Sequence, residues 1–182
     1  MRSQAKPTLG SSARRAALAA GALLLIPAVA MLFNADVHWG PEDFLVAGAL
    51  LFLAGFAWQL TAVRTGGIAY RVGMAVAILA LLVLVWSNLA VGVIGAEGNP
   101  VNMLYFSVPV VGFLSAVIAE FRPRGMVLAM LAAALTQLLV TLTAFVTNWG
   151  NPWSEPVEVI LVNGFFIVLF CAAAMLFRRS AS

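Results

Sequence analysis

The chain has 182 residues, 63% of them hydrophobic and only 9% charged, with a net charge of +3 and a mean hydropathy of +1.04. A soluble domain carries about 25% charged residues, so this composition excludes a surface covered by water and points to lipid as the solvent. The basic excess does not indicate nucleic acid, because Arg and Lys stand in short clusters between apolar runs, and the single cysteine, Cys171, excludes an internal disulfide.

Residues 1–13 contain Pro, Gly, Ser and basic side chains and are expected to form a disordered cytoplasmic tail. A hydrocarbon layer about 30 Å thick is crossed by roughly 20 apolar residues in a helix. Six runs reach that length, over residues 16–33, 44–63, 72–95, 101–119, 126–147 and 157–177. None holds Lys, Arg or Asp in its interior, and Glu158 stands only at the edge of the last. In lipid the backbone must satisfy its own hydrogen bonds, which leaves helices or closed barrels. Barrel strands run for about ten residues of alternating polarity; these runs are longer and do not alternate. The expectation is an all-α bundle of six transmembrane helices, forming a single domain over residues 14–179. The first run has a second reading, because Arg14, Arg15 and Ala28-Val29-Ala30 also fit a secretory signal with a cleavage site.

Charge then orients the spans. The basic residues are Arg2, Lys6, Arg14 and Arg15 before span one, Arg64 and Arg71 before span three, Arg122 and Arg124 before span five, and Arg178 and Arg179 after span six. The alternate connections hold Asp36, Glu42, Asp43, Glu97, Glu155 and Glu158, and no basic residue. The positive-inside rule places the basic side, with the N-terminus and the C-terminus, in the cytoplasm. Glu120, the one acid on that side, is expected to pair locally with Arg122 or Arg124. Trp39, Trp149 and Trp153 are expected as aromatic anchors at the outer interface, and Tyr70 at the inner one.

Spans in lipid associate through small residues and interhelical hydrogen bonds. Small pairs four apart recur as Ala17 with Gly21, Gly73 with Ala77, Gly112 with Ala116, and Ala129 with Ala133. Pro27 and Pro109 fall within spans one and four, where each is expected to kink its helix. Three helical hairpins from an old duplication are conceivable, since each outward span begins near Arg and ends in a turn with Gly and Pro. The plainer account is that every such span needs those features.

The candidate functional residues are the polar ones inside the spans. Asn88 is expected to share a helix face with Gly92 and Gly95. Tyr105 stands in span four, Gln137 and Thr141 in span five, and Asn163 in span six. At about 1.5 Å per residue, Asn88, Thr141 and Asn163 lie at similar depth in the outer half, with Gln137 deeper and Tyr105 shallower. Two readings stand. Asn88, Tyr105, Gln137, Thr141 and Asn163 form an outward-open polar pocket, or they tie helices together across a sealed core. At the outer rim, His38 with Asp36, Glu42 and Asp43 is a weak metal candidate, since no recognised ligand spacing accompanies it. No cofactor is expected: one histidine excludes bis-histidine haem, and no Gly-x-Ser-x-Gly elbow supports a hydrolase. No acid or base lies at the midplane, where proton-coupled transport needs one.

The segment from Trp86-Ser87-Asn88 through Gly92-Val93-Ile94-Gly95 to Glu97-Gly98-Asn99-Pro100-Val101-Asn102-Met103-Leu104-Tyr105 resembles one found in small multi-pass inner-membrane proteins of bacteria. The resemblance implies a bacterial inner membrane and carries no activity. The same residues make a tight outer hairpin, in which Glu97, Asn99 and Asn102 are the loop candidates. The expected partners are the lipid bilayer and another membrane protein or a second copy, without nucleic acid. The expected role is a non-catalytic accessory or assembly subunit of a membrane complex. The alternatives are a component that binds or transports a small solute through the polar pocket and, more remotely, a membrane enzyme.

Overall fold

The computed structural model describes residues 9–33, 38–62, 67–95, 99–147 and 156–181. Among them the chain is helical throughout, without a strand: α1 (Leu9–Phe33), α2 (Pro41–Ala62), α3 (Ile68–Ala90), a 3₁₀ segment (Pro100–Phe106) that runs into α4 (Ser107–Ile118), α5 (Pro123–Val146) and α6 (Pro156–Ser180). With the 3₁₀ segment counted into α4, six helices are long and apolar enough to cross a membrane. Large apolar side chains are exposed along all of them, a pattern that fits a multi-pass membrane protein.

The chain divides into two compact units, one holding α1 and α2, the other α3 to α6. In the first, the close approach is made by small residues. Ser12, Ala16 and Ala20, four apart, form the buried stripe of α1. A Cβ on Gly55 would stand 3.5 Å from the Ala16 Cβ, and one on Gly48 3.3 Å from Leu24. The expected pair Ala17 and Gly21 is not at this contact: Ala17 is exposed and nothing lies within 4 Å of a Cβ at Gly21. In an Ala-rich helix several small pairs share the same spacing, and the neighbouring register is the one used.

α2 begins with a defined cap. Asp43, third in the helix, accepts the Gly40 N–H at 2.8 Å. Trp39 meets Phe44 edge-to-face at 5.3 Å. These are the returning half of a capping box and a hydrophobic staple. α1 begins earlier than expected, at Leu9 rather than near Arg14, so residues 9–13 are helical and not a loose tail; nothing after Pro7 breaks the helix until hydrocarbon-length apolar sequence takes over. Residues 1–8 lie outside the described residues.

In the second unit α6 packs against α3 and α5, and α5 against α4, while the 3₁₀ segment touches α3, α4 and α5. Ala129, Ala133 and Ala173 are fully buried, as are Phe170 and Phe177. Gly73 of α3 admits α6, since a Cβ there would lie 3.2 Å from the side chains of both Leu176 and Phe177. Gly112 and Ala133, one from each of the expected pairs Gly112–Ala116 and Ala129–Ala133, meet at the α4–α5 contact, with a Cβ on Gly112 at 3.5 Å from the Ala133 Cβ, and all four residues are buried.

Two spans differ from expectation. α3 stops at Ala90, and Gly92 and Gly95 adopt φ of 76° and 67°, left-handed backbone that glycine enters without steric penalty. They therefore turn the chain instead of extending the Asn88 face. Span four is not one continuous α-helix. Pro109 has no N–H to give the Tyr105 carbonyl, the α-helical ladder cannot run through it, and the preceding residues tighten to 3₁₀ geometry. Pro109 is the third residue of α4, where its missing donor does no harm, so it marks a start and not a mid-helix kink.

Candidate functional site

The polar residues of the spans are drawn into two clusters in the second unit. The first closes the outer hairpin. The Asn102 side-chain Oδ1 accepts the Val93 and Ile94 N–H groups, each at 3.0 Å. Asn88 Nδ2 donates to the Asn102 carbonyl at 2.8 Å. Asn99 accepts the Val101 N–H at 3.1 Å and so caps the 3₁₀ segment. The chain leaving α3 would otherwise carry unpaired amides into an apolar interior, since Val93 and Ile94 are buried. A buried donor left unpaired costs about 1–3 kcal/mol, which makes Asn102 a clamp on two of them. Asn99 and Asn102 were legible as loop candidates, and their side chains are spent inside the hairpin. Glu97 lies outside the described residues.

The second cluster sits between α5, α6 and the 3₁₀ segment. Gln137 Nε2 donates to Asn163 Oδ1 at 2.8 Å, and Asn163 Nδ2 donates to the Val159 carbonyl at 2.8 Å. Thr141 donates to the Gln137 carbonyl at 2.7 Å. The Tyr105 hydroxyl stands beside Asn163 and Thr141 without a hydrogen bond to either that meets distance and angle limits. Of the five residues expected to line a pocket, the structure thus brings Tyr105, Gln137, Thr141 and Asn163 together, and joins Asn88 to Asn102.

Burial decides what this arrangement can do. Gln137 is 0% exposed, Asn163 and Tyr105 1%, Asn88 5% and Thr141 8%. The groups are closed off and meet one another across helices, with a Gln–Asn pair as the central tie. Three polar atoms are left over: Asn88 Oδ1, Gln137 Oε1 and the Tyr105 hydroxyl are buried without a partner. Two of the three belong to the Gln137–Tyr105 cluster.

Tyr70, expected at the inner interface, has a structural role that its sequence position did not announce. Tyr70 is 2% exposed, packs edge-to-face on Phe177 at 5.2 Å, and donates its hydroxyl to the Phe121 carbonyl at 2.7 Å. That carbonyl belongs to the turn between α4 and α5, where Glu120 and Phe121 have φ of 50° and 54°. Two consecutive non-glycine residues in left-handed backbone cost roughly 1–2 kcal/mol each. The turn is held by the Tyr70 bond and by the Phe121 N–H to the Ala116 carbonyl, 2.9 Å. Glu120 pairs with Arg122 at 2.7 Å, both side chains largely exposed, as its position among arginines suggested.

Among the described residues no group of three or more His, Cys, Asp or Glu side chains could hold a metal ion. Asp43 is occupied in capping α2, and Glu42 stands in the same first turn. His38 is exposed; Asp36, Trp149 and Trp153 lie outside the described residues. Compared with protein-family models, with curated proteins and with solved structures, the chain matches none.

Proposed function

We propose that the chain is a six-span protein of a bacterial inner membrane, with both termini on the cytoplasmic side, serving as a non-catalytic accessory or assembly component of a membrane complex. The complete segregation of Arg and Lys to alternate connections supports the orientation. One observation carries the role. The span polar groups with the deepest burial, Gln137 and Asn163, are bonded to each other and shut from the surroundings. Such bonds act as glue in bilayers, worth around 0.6–2 kcal/mol, and they leave the exposed apolar helix faces as the protein's means of interaction.

A second reading is favoured by the orphaned Gln137 Oε1 and Tyr105 hydroxyl, which would receive a small hydrogen-bonding solute if the cluster opened. One experiment separates the two. The chain is purified in mild detergent from cross-linked membranes and, in parallel, reconstituted alone into vesicles. A complex of fixed size, with no solute accumulation by the vesicles, supports the accessory role. Accumulation by the chain alone, abolished in Asn163→Leu protein that still inserts, overturns it. Sidedness is checked at Glu97→Cys, which a membrane-impermeant thiol reagent should label in intact cells; protection there reverses the orientation.

A further inference from the structure

At the basic end of the second unit the α4–α5 turn and the end of α6 enclose an open cavity of about 670 Å³. Its polar lining includes Arg122, Arg124 and Glu120, and its apolar lining includes Ile118 and Pro123. We propose that this cavity binds the phosphate headgroup of an anionic phospholipid. The proposal rests on the membrane location argued above and concerns a site apart from the polar clusters.

Four features converge on that ligand. The guanidinium groups of Arg122 and Arg124 supply planar, fork-like donors suited to phosphate oxygens. Arg122 also pairs with Glu120, but both side chains are largely exposed, and an ion pair of that kind is weak enough to be shared. α5 begins at the cavity. Pro123 is its first residue and no side chain caps it, so the Arg124 and Gly125 amides have no carbonyl within the helix and face outward with the positive end of the helix dipole. The competing negative end of α6 is muted, because Ser180 Oγ donates to the Phe177 carbonyl and the Ala181 N–H to the Arg178 carbonyl.

The fourth feature distinguishes a lipid from a free anion. Above Arg124 on the same face of α5 stand Leu128, Leu131 and Leu135, exposed by 68%, 45% and 56%, at the i+4, i+7 and i+11 spacing of a single helical stripe. Ile118, 83% exposed, flanks the cavity. A basic pocket with an apolar track running away from it fits a headgroup and its acyl chain, and basic pockets between membrane helices hold anionic headgroups in this way. The cavity depends on the tight α4–α5 turn, and Gly125 permits it: a Cβ there would fall 2.3 Å from the Ala119 Cβ.

The test uses the full chain in detergent, delipidated and then offered phosphatidylglycerol or phosphatidylethanolamine of matched chains, with binding read by native mass spectrometry. The wild-type chain should retain phosphatidylglycerol preferentially. Arg122→Gln/Arg124→Gln protein should lose about tenfold or more of that preference, the order expected for two basic residues at a membrane surface. Arg71→Gln, which does not line the cavity, should keep it. Equal uptake of both lipids by the wild type, or an unchanged preference in the double variant, overturns the site. Thermal protection by inorganic phosphate equal to that by phosphatidylglycerol overturns the lipid assignment. Membrane fractionation distinguishes the two levels of failure. A chain recovered from the aqueous fraction overturns the membrane location itself, whereas an inserted chain without lipid preference overturns this site alone.

Discussion

The α1–α2 unit and the α3–α6 unit are built from nearly the same amino acids and solve different problems. In the apolar stretches of α1 and α2 only 11% and 6% of residues are buried, against 33–44% in the four spans of the second unit. The first unit joins its helices through alanine and glycine, and the part-buried hydrogen bond from Thr61 to the Trp58 carbonyl stays within α2. The second adds hydrogen bonds that cross between elements: Asn88 to Asn102, Gln137 to Asn163, Tyr70 to Phe121. The contrast teaches that apolar length is enough to make a span, but a specific arrangement of spans needs polar ties, because lipid gives no hydrophobic reason for one apolar helix to choose another.

Substitutions can break this contrast, beginning with the hairpin clamp. Asn102→Ala removes the side-chain acceptor of two buried amides while keeping the carbonyl that receives Asn88, and should destabilise the second unit by about 3 kcal/mol, read as a fall in the unfolding midpoint in bicelles. A midpoint within experimental error of the wild type would remove the clamp from the account. Gly125→Ala should follow at about 2 kcal/mol, because its Cβ would need 2.3 Å from Ala119 to relax. Tyr70→Phe keeps the ring on Phe177 and deletes only the hydroxyl, so a loss of about 1–2 kcal/mol would measure the tie to the left-handed turn.

The Gln137–Asn163 pair sharpens the comparison by its coupling. Asn163→Leu strands both ends of the Gln137 amide, whereas Gln137→Leu also removes an orphaned oxygen. The first should therefore cost more, with the double substitution recovering part of the loss and a coupling near 1 kcal/mol. At the small end, Gly21→Ala in the first unit meets nothing within 4 Å and should leave stability unchanged or raised by less than about 1 kcal/mol through helix propensity. A large loss there would show that the α1–α2 unit is as closely specified as the other.

The six spans were legible because hydrocarbon thickness and backbone hydrogen bonding act on composition, which any stretch of about 20 residues displays. The polar residues were legible for the same reason: Asn88, Gln137 and Asn163 stand out against leucine and alanine. Their pairing was not. Gln137 and Asn163 are 26 residues apart, and their meeting depends on how α5 is rotated about its axis, a choice made by close packing at Ala129 and Ala133 among many alanines of equal standing. Helix ends were read to within a few residues at α2 and α6, whose first residues Pro41 and Pro156 precede the expected starts at 44 and 157. They were misread where glycine conformation mattered, since Gly92 looks like a small helix-face residue until its φ is known. The turn at Glu120 and Phe121 carries no glycine or asparagine to announce positive φ, and only contacts from elsewhere in the unit hold it there.

That turn has a consequence for the order of assembly. Its last hydrogen bond comes from Tyr70, 51 residues earlier in the chain, so α4 and α5 can emerge as a loose pair but cannot lock their bend until α3 has come alongside. The first helix of this unit to be synthesised thus acts as a jig for the hairpin that follows, and the bend at the basic rim is complete only once α3 stands beside it.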